Sequence, residues 1–331
     1  WQELPSGERI PVECRHVILD ERRFGFEVAP ADPSLPVTID PPLVWATYLG
    51  GWGDESVQAV ALDRDGGVLV AGDTASPSFP CFEGGAIRGD FDNFVAKLSA
   101  DGTSLPWCVV FGGTCWSSAG SRGWDGDALM AMGVDGEGVV TVGGWTCGAD
   151  FPLTDGAIQS ELAGPRDAFL TRFRTDPSLS VEEQLVSSTL LGGAGDEAVT
   201  GLEVDAAGDV VACGFTTSPE FPTTAGAFQR TYGGGACDAW VARLDTDPAE
   251  PAAARLEYST LLGGNGDDAL DDVYDRLFCQ AMTLEPSGAV TVTGITFSGD
   301  FPTSEGAYSR TVRPGDHDIY VTRLVPDGKR P

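Results

Sequence analysis

The chain has 331 residues, 44 of them Gly and 22 Pro, so one position in five resists the interior of a helix and a mainly helical fold is excluded. Hydrophobic residues make up 42%, enough for one large all-β domain or two ordinary ones. Twenty Lys+Arg against fifty Asp+Glu give a formal net charge of −30, a field that repels phosphate backbones and anionic lipid headgroups and argues against nucleic-acid and membrane-surface partners. Lys97 and Lys329 are the only lysines, so the positive charge is nearly all Arg, a pattern that suits a Ca2+-rich or salty exterior.

Residues 1–42 read as a separate N-terminal segment. Ile10 to Leu19 and Phe24 to Val28 form a β-hairpin around the polar turn 20–23, and the Pro-rich stretch 30–42 is an extended linker. The start at Trp1, with no Met and no apolar leader, fits a piece of a larger precursor. No run of 18 apolar residues occurs, so no transmembrane helix and no membrane insertion are expected.

From residue 43 to 331 one block recurs four times with the same internal order, at about 44–104, 106–185, 186–256 and 257–325. Each block opens on a β-rich run closed by Gly-Gly, at Gly50-Gly51, Gly112-Gly113, Gly192-Gly193 and Gly263-Gly264. Two alternating runs follow, joined by a turn with an acid and, three residues later, a Gly: Asp63/Gly66, Asp135/Gly138, Asp205/Gly208 and Glu285/Gly288. The acid caps the turn while Gly takes positive φ, so each pair is a hairpin. A long loop then carries Phe79-Pro80, Phe151-Pro152, Phe221-Pro222 or Phe301-Pro302, whose recurrence predicts a shared loop fold around a buried aromatic. The block closes on a half-buried strand at 94–98, 169–173, 240–244 or 320–324.

Four strands per block make one propeller blade, so the expected fold is an all-β, four-bladed β-propeller. The chain enters on an outer strand (about 43–49) and leaves on a third strand (about 319–324). Pairing these two would close the ring and leave no open sheet edge.

In order and wording the blocks resemble the SBBP-type bacterial β-propeller repeat. Its run "YSTYLGG-x-GDD", "VD-x-x-G", "FPTT-x-GA-F" and "D-A-F-V-x-K/R-L" is matched closely by residues 186–244 and 257–324. Block one fits, with Cys81 in place of Thr after Phe79-Pro80, and block two departs most, with an insert holding Cys115, Trp116 and Trp124. Residues 1–42 are similar to the tail of the β-rich domain that often precedes such repeats. The resemblance implies an exported, often multidomain bacterial surface protein and no shared catalytic residues.

Eight cysteines without a CxxC pair, beside only His16 and His317, argue for disulfides in an oxidising compartment over zinc or haem sites. Cys81, Cys115, Cys147, Cys237 and Cys279 map to the long-loop face or its rim and are disulfide candidates with Cys14; Cys115 with Cys147 is the favoured pair. Cys108 and Cys213, within strands, read as buried thiols.

Acids recur on the same face, and Asp54, Asp127, Asp196 and Asp267 are the candidate ligands of a Ca2+ at the channel mouth. The simpler alternative is a Gly-x-Gly-Asp turn whose acid caps backbone N–H groups. Trp52, Trp116, Trp124 and Trp145 lie on or near this face, and an exposed Trp beside carboxylates is how a sugar ring is stacked and its hydroxyls bound. No GxSxG, HExxH or P-loop pattern occurs.

The leading expectation is an exported, non-enzymatic scaffold that needs no cofactor and meets a protein or glycan partner through its long-loop face. A carbohydrate-active hydrolase or lyase at an acidic, Trp-rich mouth is the alternative, and a subunit of a larger extracellular assembly is a second.

Overall fold

In a computed structural model the described residues are 1–20, 23–29, 31–38, 43–81, 87–115, 126–247, 250–271, 276–277, 281–312 and 317–325. The chain divides into two compact units, Trp1–Thr47 and Tyr48–Pro331.

In the first unit Cys14–Asp20 pairs antiparallel with Arg23–Val28, the hairpin read from the sequence, and Gln2–Glu3 pairs with Arg9–Ile10. Gln2 ties the segment after the hairpin to the N-terminus. Its Nε2 donates to the carbonyls of Asp32 and Leu35 at 2.7 and 2.9 Å, and its Oε1 accepts the Asp32 N–H at 3.0 Å. The Arg9 guanidinium lies 4.2 Å over the Trp1 ring.

The second unit is a succession of antiparallel meanders. The first sheet runs Glu55–Leu62, Val68–Thr74, Asp92–Leu98 and Trp107–Phe111; the second Ala128–Val134, Val139–Thr146, Asp167–Arg174 and Leu185–Leu191. The third runs Glu197–Val204, Val210–Thr216, Asp238–Leu244 and Leu256–Leu262; the fourth has three strands, Ala281–Leu284, Val290–Thr296 and Asp318–Leu324. Among the described residues helix is limited to single turns at Val181–Gln184 and Ala252–Arg255.

The hairpin chemistry is as the spacing predicts. Gly66, Gly138, Gly208 and Gly288 sit at φ of 78°, 85°, 91° and 83°. Asp63 Oδ1 accepts from the N–H groups of Asp65 and Gly67 at 2.8 and 2.7 Å, and Asp135 and Asp205 do the same in their turns. Each turn acid also meets a base on the third strand: Lys97–Asp63 at 2.6 Å, Arg172–Asp135 at 3.0 Å, Arg243–Asp205 at 2.7 Å and Arg323–Glu285 at 2.7 Å. The first strand bulges opposite a glycine of the second, where a Cβ on Gly72, Gly144 or Gly214 would collide with the carbonyl oxygen of Ser56, Ala128 or Ala198.

Sheets pack face to face in chain order. Leu69, Ala71 and Val95 meet Leu129, Val140 and Phe169 between the first and second. Leu170 meets Leu202, Ala212 and Trp240 between the second and third, and Val211, Cys213 and Val241 meet Val290, Val292 and Tyr320 between the third and fourth. The Phe of each Phe-Pro loop packs on the aromatic of the third strand: Phe79 on Phe94 (4.6 Å between centroids), Phe151 on Phe169 (4.9 Å), Phe221 on Trp240 (5.2 Å) and Phe301 on Tyr320 (4.5 Å).

The expected closure is not present in the structure. Residues 43–50 carry no strand, and the fourth sheet ends on Asp318–Leu324. The two terminal faces are consequently exposed. Val60 and Leu62 of the first sheet are 69% and 67% exposed, although Leu202, which stands at Val60's place in the third, is buried. Ile319 and Val321 are 75% and 69% exposed, although Ala239 and Val241, at the same places, are buried.

Candidate functional site

The face that carries the Gly-Gly ends and the Phe-Pro loops is built around one repeated clasp. Four residues after the second Gly stands an acid, Glu55, Glu197 or Asp268, and in the second block Asp127 takes that place after the insert. Its carboxylate accepts the N–H of the second Gly: Gly51 to Glu55 at 3.1 Å, Gly113 to Asp127 at 2.5 Å, Gly193 to Glu197 at 2.8 Å and Gly264 to Asp268 at 2.7 Å. A Thr at the end of the second strand donates to the same acid: Thr74 at 3.2 Å, Thr216 at 2.6 Å, and Thr146 and Thr296 likewise. Ser218 and Ser298 add a third donor at 2.6 Å each, while accepting the N–H of Gly195 and Gly266. The acid is thus the hub of a turn, and in the first, third and fourth blocks it lies one residue beyond the Asp of Gly-x-Gly-Asp.

This geometry divides the four candidate Ca2+ ligands between two kinds of place. Asp54, Asp196 and Asp267 sit one residue before the hub, and each carbonyl accepts a bond from the second-strand exit: Ala75, Thr217 and Phe297. Gly126 holds that place in block two, and Asp127 is itself a hub, 1% exposed, so the four acids are not one equivalent set. Asp54 is exposed, and Asp196 lies 3.8 Å from Arg166. Among the described residues no group of three His, Cys, Asp or Glu comes together as a metal site.

A second acid, at the start of the third strand in each of the first three sheets, is buried beside the next hub. Asp92 accepts the Arg88 N–H at 2.9 Å, Asp167 those of Ala163 and Gly164 at 2.8 and 3.1 Å, and Asp238 that of Gly233 at 2.7 Å. Burial pushes Asp127 and Asp238 up to about 7, and it also raises Asp92, Asp167, Glu197 and Asp268 above the usual carboxylate range.

Of the candidate aromatics, Trp52 is 96% exposed on a loop held by its own backbone, with the Trp52 N–H on Ser78 Oγ and the Gly53 N–H on Ser76 Oγ, both at 2.9 Å. Trp145 is corrected: it is 6% exposed and packs in the core with Ala198 and Phe215, so it offers no ring to a ligand. Trp116 and Trp124 lie outside the described residues.

Among the described residues two disulfides form, Cys115–Cys147 as favoured and Cys81–Cys108. Cys108 is therefore not the buried thiol expected of it. It stands where Ser188 and Ser259 stand in the following sheets, and there the Phe-Pro loop grips the outer strand by Thr154 N–H to Ser188 O at 3.2 Å and Thr224 N–H to Ser259 O at 3.0 Å. In the first sheet the grip is covalent. Cys213 is a buried thiol, with burial pushing it up to about 12. Cys237 is buried, Cys14 is exposed, and Cys279 lies outside the described residues. The two bridges fit an oxidising environment.

One group escaped the sequence reading. Ser56, Asp73 and Asn93 stand directly opposite one another on three neighbouring strands. The matching rungs are apolar: Ala128, Trp145 and Ala168 in the second sheet, Ala198, Phe215 and Ala239 in the third. Asp73 accepts the Leu129 N–H of the next sheet at 2.7 Å, and burial raises it to about 6. Comparing blocks position by position exposes this departure, because polar residues replace apolar ones at a core position.

No protein-family model matches the chain, and no curated protein matches it. Among solved structures it is similar to the Hadza microbial sialidase Hz136, with 12% identity and a TM-score of 0.35 over 80% of this chain. The match spans 43% of that structure's own length.

Proposed function

We propose that the chain is an exported, non-enzymatic β-propeller that serves as an extracellular or cell-surface scaffold and binds a protein or glycan partner through its long-loop face. The observation that carries the reading is Trp52, an indole held clear of the protein on a backbone fixed by Ser76 and Ser78. Two disulfides, one on each side of Gly112-Gly113 in sequence, hold neighbouring loops in fixed shapes, which lowers the ordering cost of binding. The hub acids are committed to backbone donors and leave the recognition surface to the loops.

The ring is proposed to close by packing Val60 and Leu62 against Ile319 and Val321, the faces that every internal junction buries, with residues 43–49 as the outer strand of the fourth sheet. Amide hydrogen exchange tests this. Slow exchange at 44–48 and 319–323 is expected, and exchange at the rate of a free chain at both would rule out the pairing.

Binding is tested by screening the chain and Trp52→Ala on immobilised glycans and on extracellular proteins. Retention of the chain and loss in the variant, with folding stability changed by less than about 0.5 kcal/mol, is the expected result. Equal retention of both would remove Trp52 from the site. Release of sugar from the glycans would favour the hydrolase or lyase instead.

A further inference from the structure

The acids one residue before the hub keep different company in the three blocks that have them. Asp196 lies 3.8 Å from Arg166, and Asp267 Oδ1 accepts the Ala236 N–H at 2.5 Å. Asp54 is exposed and pairs with no Arg or Lys among the described residues. Two residues before these acids stand Trp52, Ala194 and Asn265, so only the first block sets an indole beside an uncommitted carboxylate. The loop that carries both is held at four points. The N–H groups of Gly51, Trp52 and Gly53 donate to Glu55, Ser78 and Ser76, and the Asp54 carbonyl accepts the Ala75 N–H. Residues two apart have Cα atoms within about 7 Å, so one ligand group reaches both side chains.

The chain shows elsewhere what such a pair takes. Trp1 and Glu3 have the same spacing as Trp52 and Asp54, and Arg9 serves both: its guanidinium lies 4.2 Å over the Trp1 ring and its Nε 3.8 Å from Glu3. We infer that Trp52 and Asp54 form the socket for an Arg side chain presented by a partner protein, the guanidinium stacked on the indole and paired with the carboxylate. The inference rests on Trp52 as the anchor of the binding face and narrows the partner from a protein or glycan to a protein with an exposed Arg.

Three physical arguments favour that partner. Trp offers a cation the strongest ring face of the aromatic side chains. A guanidinium is planar and less strongly hydrated than an ammonium, so Arg lies on the ring and still meets the carboxylate at lower desolvation cost than Lys. The net charge of −30 draws a basic surface towards the chain and turns an acidic one away, whereas it does nothing for a neutral sugar. Trp and Arg are also among the side chains that most often carry the binding energy of an interface.

The test is a titration of the full chain with the blocked peptide acetyl-Gly-Arg-Gly-amide at fixed ionic strength, followed by the indole N–H NMR signal that Trp52→Ala removes. That signal should shift with the arginine peptide. The same peptide with citrulline, which keeps the shape and lacks the charge, should leave it in place. Read at the Gly53 amide, Trp52→Ala should weaken arginine binding about 2–5-fold, the worth of an exposed cation on a ring. Asp54→Asn should weaken it by up to about 5-fold. Arginine binding that both substitutions leave unchanged is a diffuse attraction to the acidic surface and overturns the inference. A shift with a neutral N-acetylglucosamine oligosaccharide and none with arginine overturns it as well, while keeping Trp52 as a glycan anchor. No shift with either probe removes Trp52 as the anchor, and the inference falls with it.

Discussion

Trp240→Ala is expected to destabilise the chain by about 3–5 kcal/mol, the largest effect of any single side chain in the four sheets. The indole is fully buried, stacks on Phe221 at 5.2 Å and packs among Leu202, Ala212 and Leu261. Its Nε1 donates to the Phe215 carbonyl at 2.8 Å, so truncation opens a cavity and orphans a buried acceptor together. The backbone cannot collapse into the space, because Gly214 already approaches the ring and the Ala198 carbonyl as closely as a residue without Cβ allows. Denaturant unfolding measures the loss. A cost below about 1 kcal/mol would mean that the second and third sheets do not pack as described.

Removing the Cys115–Cys147 bridge by paired Ala substitutions should cost about 3–4 kcal/mol, the loop-closure entropy of a segment of this length. The two residues are 32 apart in sequence, with Cα atoms 5.5 Å apart. The Cys81–Cys108 bridge spans 27 residues and should be worth a similar amount, although the two effects will not add, since both loops border the first and second sheets. Thermal midpoints with and without reductant, compared with those of the Ala variants, measure both. Reductant that leaves the wild-type midpoint unchanged would show that neither bridge constrains the chain.

What was legible in the sequence was the chemistry that is local. Asp63 with Gly66, and its three counterparts, needs only four residues to specify a turn, and the Phe-Pro aromatic announces itself by recurrence. The three donors that surround Glu197 come from Gly193, Thr216 and Ser218, residues four to twenty-one positions away. That spacing hid the hub, and the ligand reading fell on Asp196 beside it. The pairing of Asp92 with Asp127 depends on how one sheet stacks on the next, which no periodicity within a block encodes. Cys108 misled because alternation says only which face a strand residue takes, not that a loop returns along the outer edge to meet it. Trp145 misled because its singularity among the blocks marked a change in core packing, with Phe215 and Ile295 at the same place in later sheets.

Each of the first three sheets takes its first three strands from one block and its outer strand from the next, so that Leu185–Leu191 completes the second sheet although its sequence opens the third block. The unit copied in the gene is thus out of phase with the unit that folds. Excising residues between two Gly-Gly pairs, for instance 193–263, would delete one sheet and rejoin like to like. Cutting a sheet between its third and outer strands would instead strand an unpaired edge. Lineages carrying this repeat can therefore lengthen or shorten the array by recombination at a glycine pair without inventing a new junction.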